Sequence, residues 1–168
     1  MKRQKKSKKG FTLVEVILAV AILVLALSGI LGAFFSCFVL ISTSKNVNLA
    51  TDAAMSIVEQ IRNTPFSQIT SMSFSVGGQT YDPVEDGDIY SWSFPIPEVP
   101  SSMCKVYVDE ANPELLEARV SVCWRQGKRV FGEDNNLNGI LDPGEDAAGG
   151  TIGMIDSPVE LVTRIANR

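Results

Sequence analysis

Between Phe11 and Ile41 the chain runs for 31 residues with only Thr12, Glu15, Ser28 and Ser36 polar. About 20 apolar residues are enough to cross a bilayer as a helix, so the run is a membrane segment with more than a turn to spare. Six basic residues precede it, Lys2, Arg3, Lys5, Lys6, Lys8 and Lys9, and positive charge on that flank stays on the cytoplasmic side. Glu15 is the residue that needs a reason. A carboxylate at bilayer depth costs about 2.5–3.5 kcal/mol on insertion scales, and such groups are kept where a partner receives them. A secretory signal, with an apolar core of roughly 7–15 residues and a small-residue cleavage site, is too short to describe the run. A lipoprotein signal needs small residues before its cysteine, whereas Cys37 follows Phe34-Phe35-Ser36. A plain signal anchor fits the length but gives Glu15 no task.

The stretch Lys8-Lys9-Gly10-Phe11-Thr12-Leu13-Val14-Glu15, with the apolar run behind it, resembles the N-terminal signature of type IV prepilins and type II secretion pseudopilins. The resemblance implies that a prepilin peptidase cuts between Gly10 and Phe11 and that the new terminal Phe11 is N-methylated. It implies that Glu15, the fifth residue of the mature chain, takes the terminal amine of a neighbouring subunit as counter-charge. Docking one subunit then relieves the desolvation cost of a buried carboxylate in another. The implied partners are the peptidase, other pilin or pseudopilin subunits, the inner-membrane assembly machinery and the membrane itself. The implied location is a single pass through the inner membrane with the C-terminal domain exported, and later a pilus or periplasmic pseudopilus. The small soluble domain and the segment Val58-Glu59-Gln60-Ile61-Arg62 resemble minor subunits. The competing reading is a membrane-anchored, exported calcium- or ligand-binding domain that never assembles.

Charge divides the chain sharply. Of fifteen basic residues six lie in the leader, leaving nine against nineteen acids and a formal charge of −10 from Phe11 onward. So acidic a body lacks the means to neutralise phosphates that nucleic-acid binding requires. There is no histidine, which removes histidine-based triads, histidine metal sites and the commonest general base. No phosphate loop, dinucleotide glycine pattern or Gly-x-Ser-x-Gly elbow occurs, and the chain is not read as an enzyme.

Past the membrane run the helical period continues. Val47, Ala50, Ala54, Ile57, Val58 and Ile61 recur at three- and four-residue steps, with Lys45, Asn48, Asp52, Glu59 and Arg62 between them, the pattern of a helix with one buried stripe. No proline interrupts the chain from Phe11 to Thr64, and Pro65 ends the element. One helix of about 50 residues is expected, at 1.5 Å rise per residue. Gly29 and Gly32 within it mark either a point of local melting or close contact during assembly, or the ordinary tolerance of membrane helices for glycine. Beyond Phe66 the texture becomes β-rich. Strands are expected at Ile89–Ile96, placed at a sheet edge because Pro95, Pro97 and Pro100 follow, at Met103–Val108, at Leu115–Trp124, at Arg129–Phe131 and at Val159–Ala166. The fold class is therefore α+β, a long N-terminal helical spine packed on a small antiparallel sheet, which is the architecture the pilin resemblance implies. The organisation is a leader (1–10), a transmembrane or filament-core helix (11–41), its amphipathic continuation (42–64) and an exported β-rich domain (65–168).

Cys104 and Cys123 lie in the exported part, where a disulfide can form. Alternation puts Cys104 on the presumed core face with Val106 and Val108, and Cys123 on the other face with Ser121 and Arg119. A bridge would need a bulge to re-register one strand. The second informative stretch is 134–145. Laid on a twelve-residue calcium loop, it offers oxygen side chains at the first, third, fifth, ninth and twelfth places: Asp134, Asn136, Asn138, Asp142 and Glu145. Gly139 falls sixth, where the turn needs it, Ile140 seventh with its carbonyl, and Leu141 eighth as an apolar anchor. The segment resembles an EF-hand-type loop without the flanking helices. The cofactor expected is Ca²⁺, bound with the modest affinity that suits an extracellular module. The alternative is a polar Asn/Asp/Gly turn with no metal.

Overall fold

The computed structural model describes residues 12–145 and 153–167. Helix α1 (Leu13–Asn63) is 51 residues long, and the chain falls into two compact units, residues 1–42 and 43–168. In the first unit every described side chain is exposed. The helix is long and apolar enough to cross a membrane and passes through Gly29 and Gly32 unbroken. Ser28 and Ser36 need no outside partner there, because their hydroxyls donate back to the carbonyls of Val24 (2.8 Å) and Gly32 (3.1 Å).

In the second unit Ala50, Ala54, Ile57 and Ile61 form the buried stripe of α1, flanked by the half-buried Val47 and Val58. Ala50 and Ala54 are fully buried and belong to the same core cluster as the inward residues of the sheet. After Asn63 the Thr64 hydroxyl bonds the Gln60 carbonyl at 2.8 Å and Pro65 leads into a short 3₁₀ turn, Phe66–Gln68. Among the described residues eight strands follow: β1 (Phe74–Val76), β2 (Gln79–Tyr81), β3 (Val84–Asp86), β4 (Ile89–Phe94), β5 (Ser102–Asp109), β6 (Leu115–Gln126), β7 (Arg129–Phe131) and β8 (Val159–Ala166). Strands β1 and β2 make a hairpin of their own, and the main antiparallel sheet runs β3-β4-β5-β6-β7 with β8 also on β6. The α+β helix-on-sheet architecture expected from the sequence is the observed one.

Two features differ from the sequence expectation. Strand β4 is interior, paired with β3 on one side and β5 on the other; it ends at Phe94, so the three prolines lie beyond its ladder and do not limit it. Strands β7 and β8 share one edge of β6 end to end: Trp124 pairs with Phe131, and two residues earlier Val122 pairs with Val159. What would be one continuous partner strand is interrupted by the excursion 132–158, pinched at its base where the Glu133 amide donates to the Asp156 carbonyl at 3.0 Å.

The core lies between α1 and one sheet face. Trp92, Phe94, Cys104, Val106, Val108, Leu116, Ala118, Val120, Val122 and Trp124 point into it. Phe74 of the hairpin stands edge-on to Trp92, ring centres 5.6 Å apart, and Phe131 stacks on Trp124 at 5.1 Å. Each such large side chain contributes about 1.5–3 kcal/mol by leaving water. The Cys104–Cys123 bridge is not formed: both thiols are free and buried. In register Cys104 faces Val122 while Cys123 faces Met103, so the thiols sit on opposite faces of the sheet. Burial pushes the Cys123 thiol up to about 11.

Candidate functional site

Two places in the described chain carry chemistry. The first is the start of α1. Gly10 and Phe11, the expected cleavage pair, lie outside the described residues. Thr12 stands just before the helix and accepts the Glu15 amide on its hydroxyl at 3.3 Å and on its carbonyl at 3.1 Å. That is half of a Thr-x-x-Glu capping box. Glu15 is exposed in the first turn, where the helix dipole favours a negative charge. The capping role of Thr12 was legible in the Thr12-Leu13-Val14-Glu15 spacing, although the apolar run drew the reading elsewhere.

The second place is the acidic loop on the excursion, over the sheet face opposite α1. Asp134 is fully buried; its two oxygens accept the amides of Asn138 (3.0 Å) and Gly139 (2.7 Å). Asn136 accepts the Asn138 amide at 3.0 Å and Asn138 accepts the Ile140 amide at 2.7 Å, so the alternate side chains 134, 136 and 138 all turn back on the chain ahead of them. The Asp142 carboxylate receives the side-chain amides of Asn136 (2.6 Å) and Asn138 (3.1 Å). Glu145 closes the loop, accepting the backbone amides of Asn135 (2.9 Å) and Asp142 (3.1 Å). Gly139 is required on two counts. Its φ of +75° lies in the left-handed region, and a Cβ there would meet that of Ser93 at 2.6 Å.

The loop is fastened to the sheet. Ser93 donates to the Gly139 carbonyl at 3.2 Å, and Lys105 donates to the Ser93 hydroxyl at 2.8 Å. Burial pulls the Lys105 amine below the usual lysine range, and the charge of Asp134 opposes that shift. Further along, the Ile155 amide donates to the Tyr107 hydroxyl at 3.0 Å. A cleft of about 260 Å³ remains between loop and sheet, lined by Asp86, Ser91, Lys105, Tyr107, Ile140 and Met154 among others. Alternation along β4 and β5 puts Ser93, Lys105 and Tyr107 on the outer face; that a loop 30 residues on would cover them had no local signal.

The donor set of the loop is one a hard cation accepts. Asp134, Asn136, Asn138, Asp142, Glu145 and the Ile140 carbonyl supply oxygen and nothing softer, and each amide oxygen keeps a second lone pair beside the backbone bond it accepts. Among the described residues no three His, Cys, Asp or Glu side chains gather into a metal-holding group. A cation here would therefore depend on the two asparagines and the carbonyl as much as on the carboxylates.

Comparison with known proteins bears on the first place. Residues 5–31 match the family model described as the prokaryotic N-terminal methylation motif. The matched span contains Gly10, Phe11 and Glu15 and ends inside the apolar helix. No curated protein and no solved structure matches the chain. The chain thus carries the prokaryotic N-terminal methylation motif of type IV pilin-like proteins at the head of a pilin-like α+β fold.

Proposed function

We propose that this chain is a minor pilin or minor pseudopilin, a structural subunit of a type IV pilus or type II secretion-like filament. The single observation that carries the reading is the methylation motif at residues 5–31, with Glu15 in the first turn of an apolar helix that is exposed from residue 12 to residue 42. Prepilin peptidase removes the leader after Gly10, the Phe11 amine is methylated, and the helix passes from the inner membrane into a filament core of like helices. A carboxylate and an amine that are each costly in an apolar medium become tolerable only as a pair, so Glu15 sets the register between neighbours. Glu15→Ala is expected to be cleaved like the wild type yet to fall at least tenfold in filaments sheared from cells. Wild-type incorporation of that variant would remove Glu15 from the docking step.

The acidic loop supports a second element of the reading. Asp134, Asn136, Asn138, Ile140, Asp142 and Glu145 would hold Ca²⁺, whose contribution is structural: three carboxylates on a twelve-residue loop repel one another without a counter-charge. Ligand sets of this kind outside the cell bind at Kd of about 10⁻⁴–10⁻³ M. At a hundredfold excess over Kd, calcium is expected to stabilise the exported domain by about 2.7 kcal/mol, read as a rise of about 10 °C in Tm. Glu145→Gln, which removes one charge at the loop's closing position, should lose most of that rise. A Tm indifferent to calcium would leave the loop as a turn held by its own hydrogen bonds. The same loop is what favours the competing reading, an anchored exported binding domain. Recovery of the chain from the membrane with its leader intact and none of it in filaments would select that reading.

A further inference from the structure

The acidic loop contains the one Asn-Gly step in the chain: of eight asparagines, only Asn138 precedes a glycine. That step has a chemistry of its own. When a backbone nitrogen reaches the side-chain carbonyl carbon of the asparagine before it, a five-membered imide closes. Glycine has no Cβ to screen its nitrogen and is free to turn it toward that carbon. The nitrogen gives up its proton, and the side-chain amide leaves with it as ammonia. One water then opens the imide at either carbonyl, leaving aspartate or isoaspartate at position 138.

In the folded loop both reacting groups are held elsewhere. The Gly139 amide is buried and donates to Asp134 Oδ2 at 2.7 Å, while the Gly139 carbonyl takes the Ser93 hydroxyl at 3.2 Å. Asp134, itself fully buried, also accepts the Asn138 amide at 3.0 Å, so one carboxylate holds the amides on both sides of Asn138. The Asn138 side chain is exposed but engaged at both ends. Its Oδ1 accepts the Ile140 amide at 2.7 Å, and its Nδ2 donates to Asp142 Oδ2 at 3.1 Å. For the ring to close, these bonds must let go together. We propose that Asn138 is a deamidation site latched by Asp134, cyclising only when the loop opens, and that its conversion removes a contact that keeps the loop closed. Once converted, position 138 has no N–H for Asp142. A fourth carboxylate joins Asp134, Asp142 and Glu145, and like charges meet where a hydrogen bond had been. The step is one-way, so time spent open is recorded as charge. The inference uses contacts within the loop and to β4; it rests neither on calcium nor on filament assembly.

The test uses the full chain in detergent with EDTA, held at neutral pH and 37 °C. Trypsin frees residues 130–164 in one piece, because no lysine or arginine lies between Arg129 and Arg164. Fragment masses then locate any exchange of an amide for an acid at Asn135, Asn136 or Asn138. Conversion at Asn138 should be at least tenfold slower in the folded chain than in guanidinium chloride, the ratio giving the open population. Asp134→Asn keeps the side-chain shape but leaves one of the two amides without its acceptor, and should close most of that gap. Ser93→Ala releases only the Gly139 carbonyl and should speed conversion several-fold, which keeps the latch testable if Asp134→Asn does not fold. Asn138→Asp retains the acceptor for the Ile140 amide and lacks the donor to Asp142; its Tm should fall by about 4 °C. Equal rates in the folded and unfolded chain overturn the latch, and no conversion at Asn138 in guanidinium chloride overturns the site. Slower conversion in Asp134→Asn also overturns the latch, by making the carboxylate the base that draws the Gly139 proton. An unchanged Tm for Asn138→Asp overturns the consequence for the loop.

Discussion

Co-expressed with a prepilin peptidase, the Gly10→Asp variant is expected to keep its leader, with the processed fraction at least tenfold below that of the wild type. The reason is local. A glycine before the scissile bond presents bare backbone, and its lack of a Cβ lets an enzyme's own backbone approach closely; any side chain there obstructs that approach. Aspartate adds a negative charge next to Lys8 and Lys9, weakening the basic flank that holds the leader on the cytoplasmic side. The apolar helix is untouched, so the variant should still be found in the membrane. Intact mass separates the two forms directly. Wild-type levels of processing would mean that the leader is not read at Gly10, and the function built on the 5–31 motif would fall with it.

The largest stability effect is expected at Trp92. The side chain is 1% exposed, lies edge-on to Phe74 and donates its indole N–H to the Met72 carbonyl at 2.9 Å. It thereby ties β4 of the main sheet to the segment entering the β1–β2 hairpin. Trp92→Ala removes the ring, leaves a cavity that neighbours on two elements cannot both fill, and strands the Met72 acceptor. Truncations of this kind cost about 3–5 kcal/mol, against a total stability of about 5–15 kcal/mol for a domain. The variant should unfold at a much lower urea concentration or not fold at 37 °C. Trp124, the other tryptophan, is fully buried on β6 and stacked on Phe131, so its fluorescence reports the transition in both proteins. A shift in the urea midpoint worth under 1 kcal/mol would contradict the assignment of Trp92 to the core.

How far the fold could be read depended on the range of the interaction involved. The stripe Ala50, Ala54, Ile57 and Ile61 followed from helical period alone, and it is the stripe that is buried. Strands β5, β6, β7 and β8 were legible because alternation is a local signal, and the faces it assigned to Cys104 and Cys123 are those observed. The three-residue strands β1, β2 and β3 were too short to show a period, although the Gly77-Gly78 and Asp86-Gly87-Asp88 turn residues between them mark hairpins. The interior position of β4 was misread because prolines just past a strand look much like prolines within it. The end-to-end placing of β7 and β8 on one edge of β6 is a matter of long-range register, and nothing near Val159 indicates its partner. In the acidic loop, the side chains at the spaced positions 134, 136, 138, 142 and 145 hydrogen-bond within the loop, while Asn136, Asn138 and Ile140 stay exposed. The fastening through Ser93, Lys105 and Tyr107 joins segments dozens of residues apart and became visible only in three dimensions.

The measurement that tests the account most directly is the N-terminal mass of the wild-type chain purified after co-expression with a prepilin peptidase. The account predicts a chain beginning at Phe11, about fourteen mass units heavier than the bare sequence for its added methyl group, with Glu15 then the fifth residue from a charged amine. A chain still beginning at Met1 would contradict it, and would leave the acidic loop on an anchored exported domain as the part of the molecule to explain.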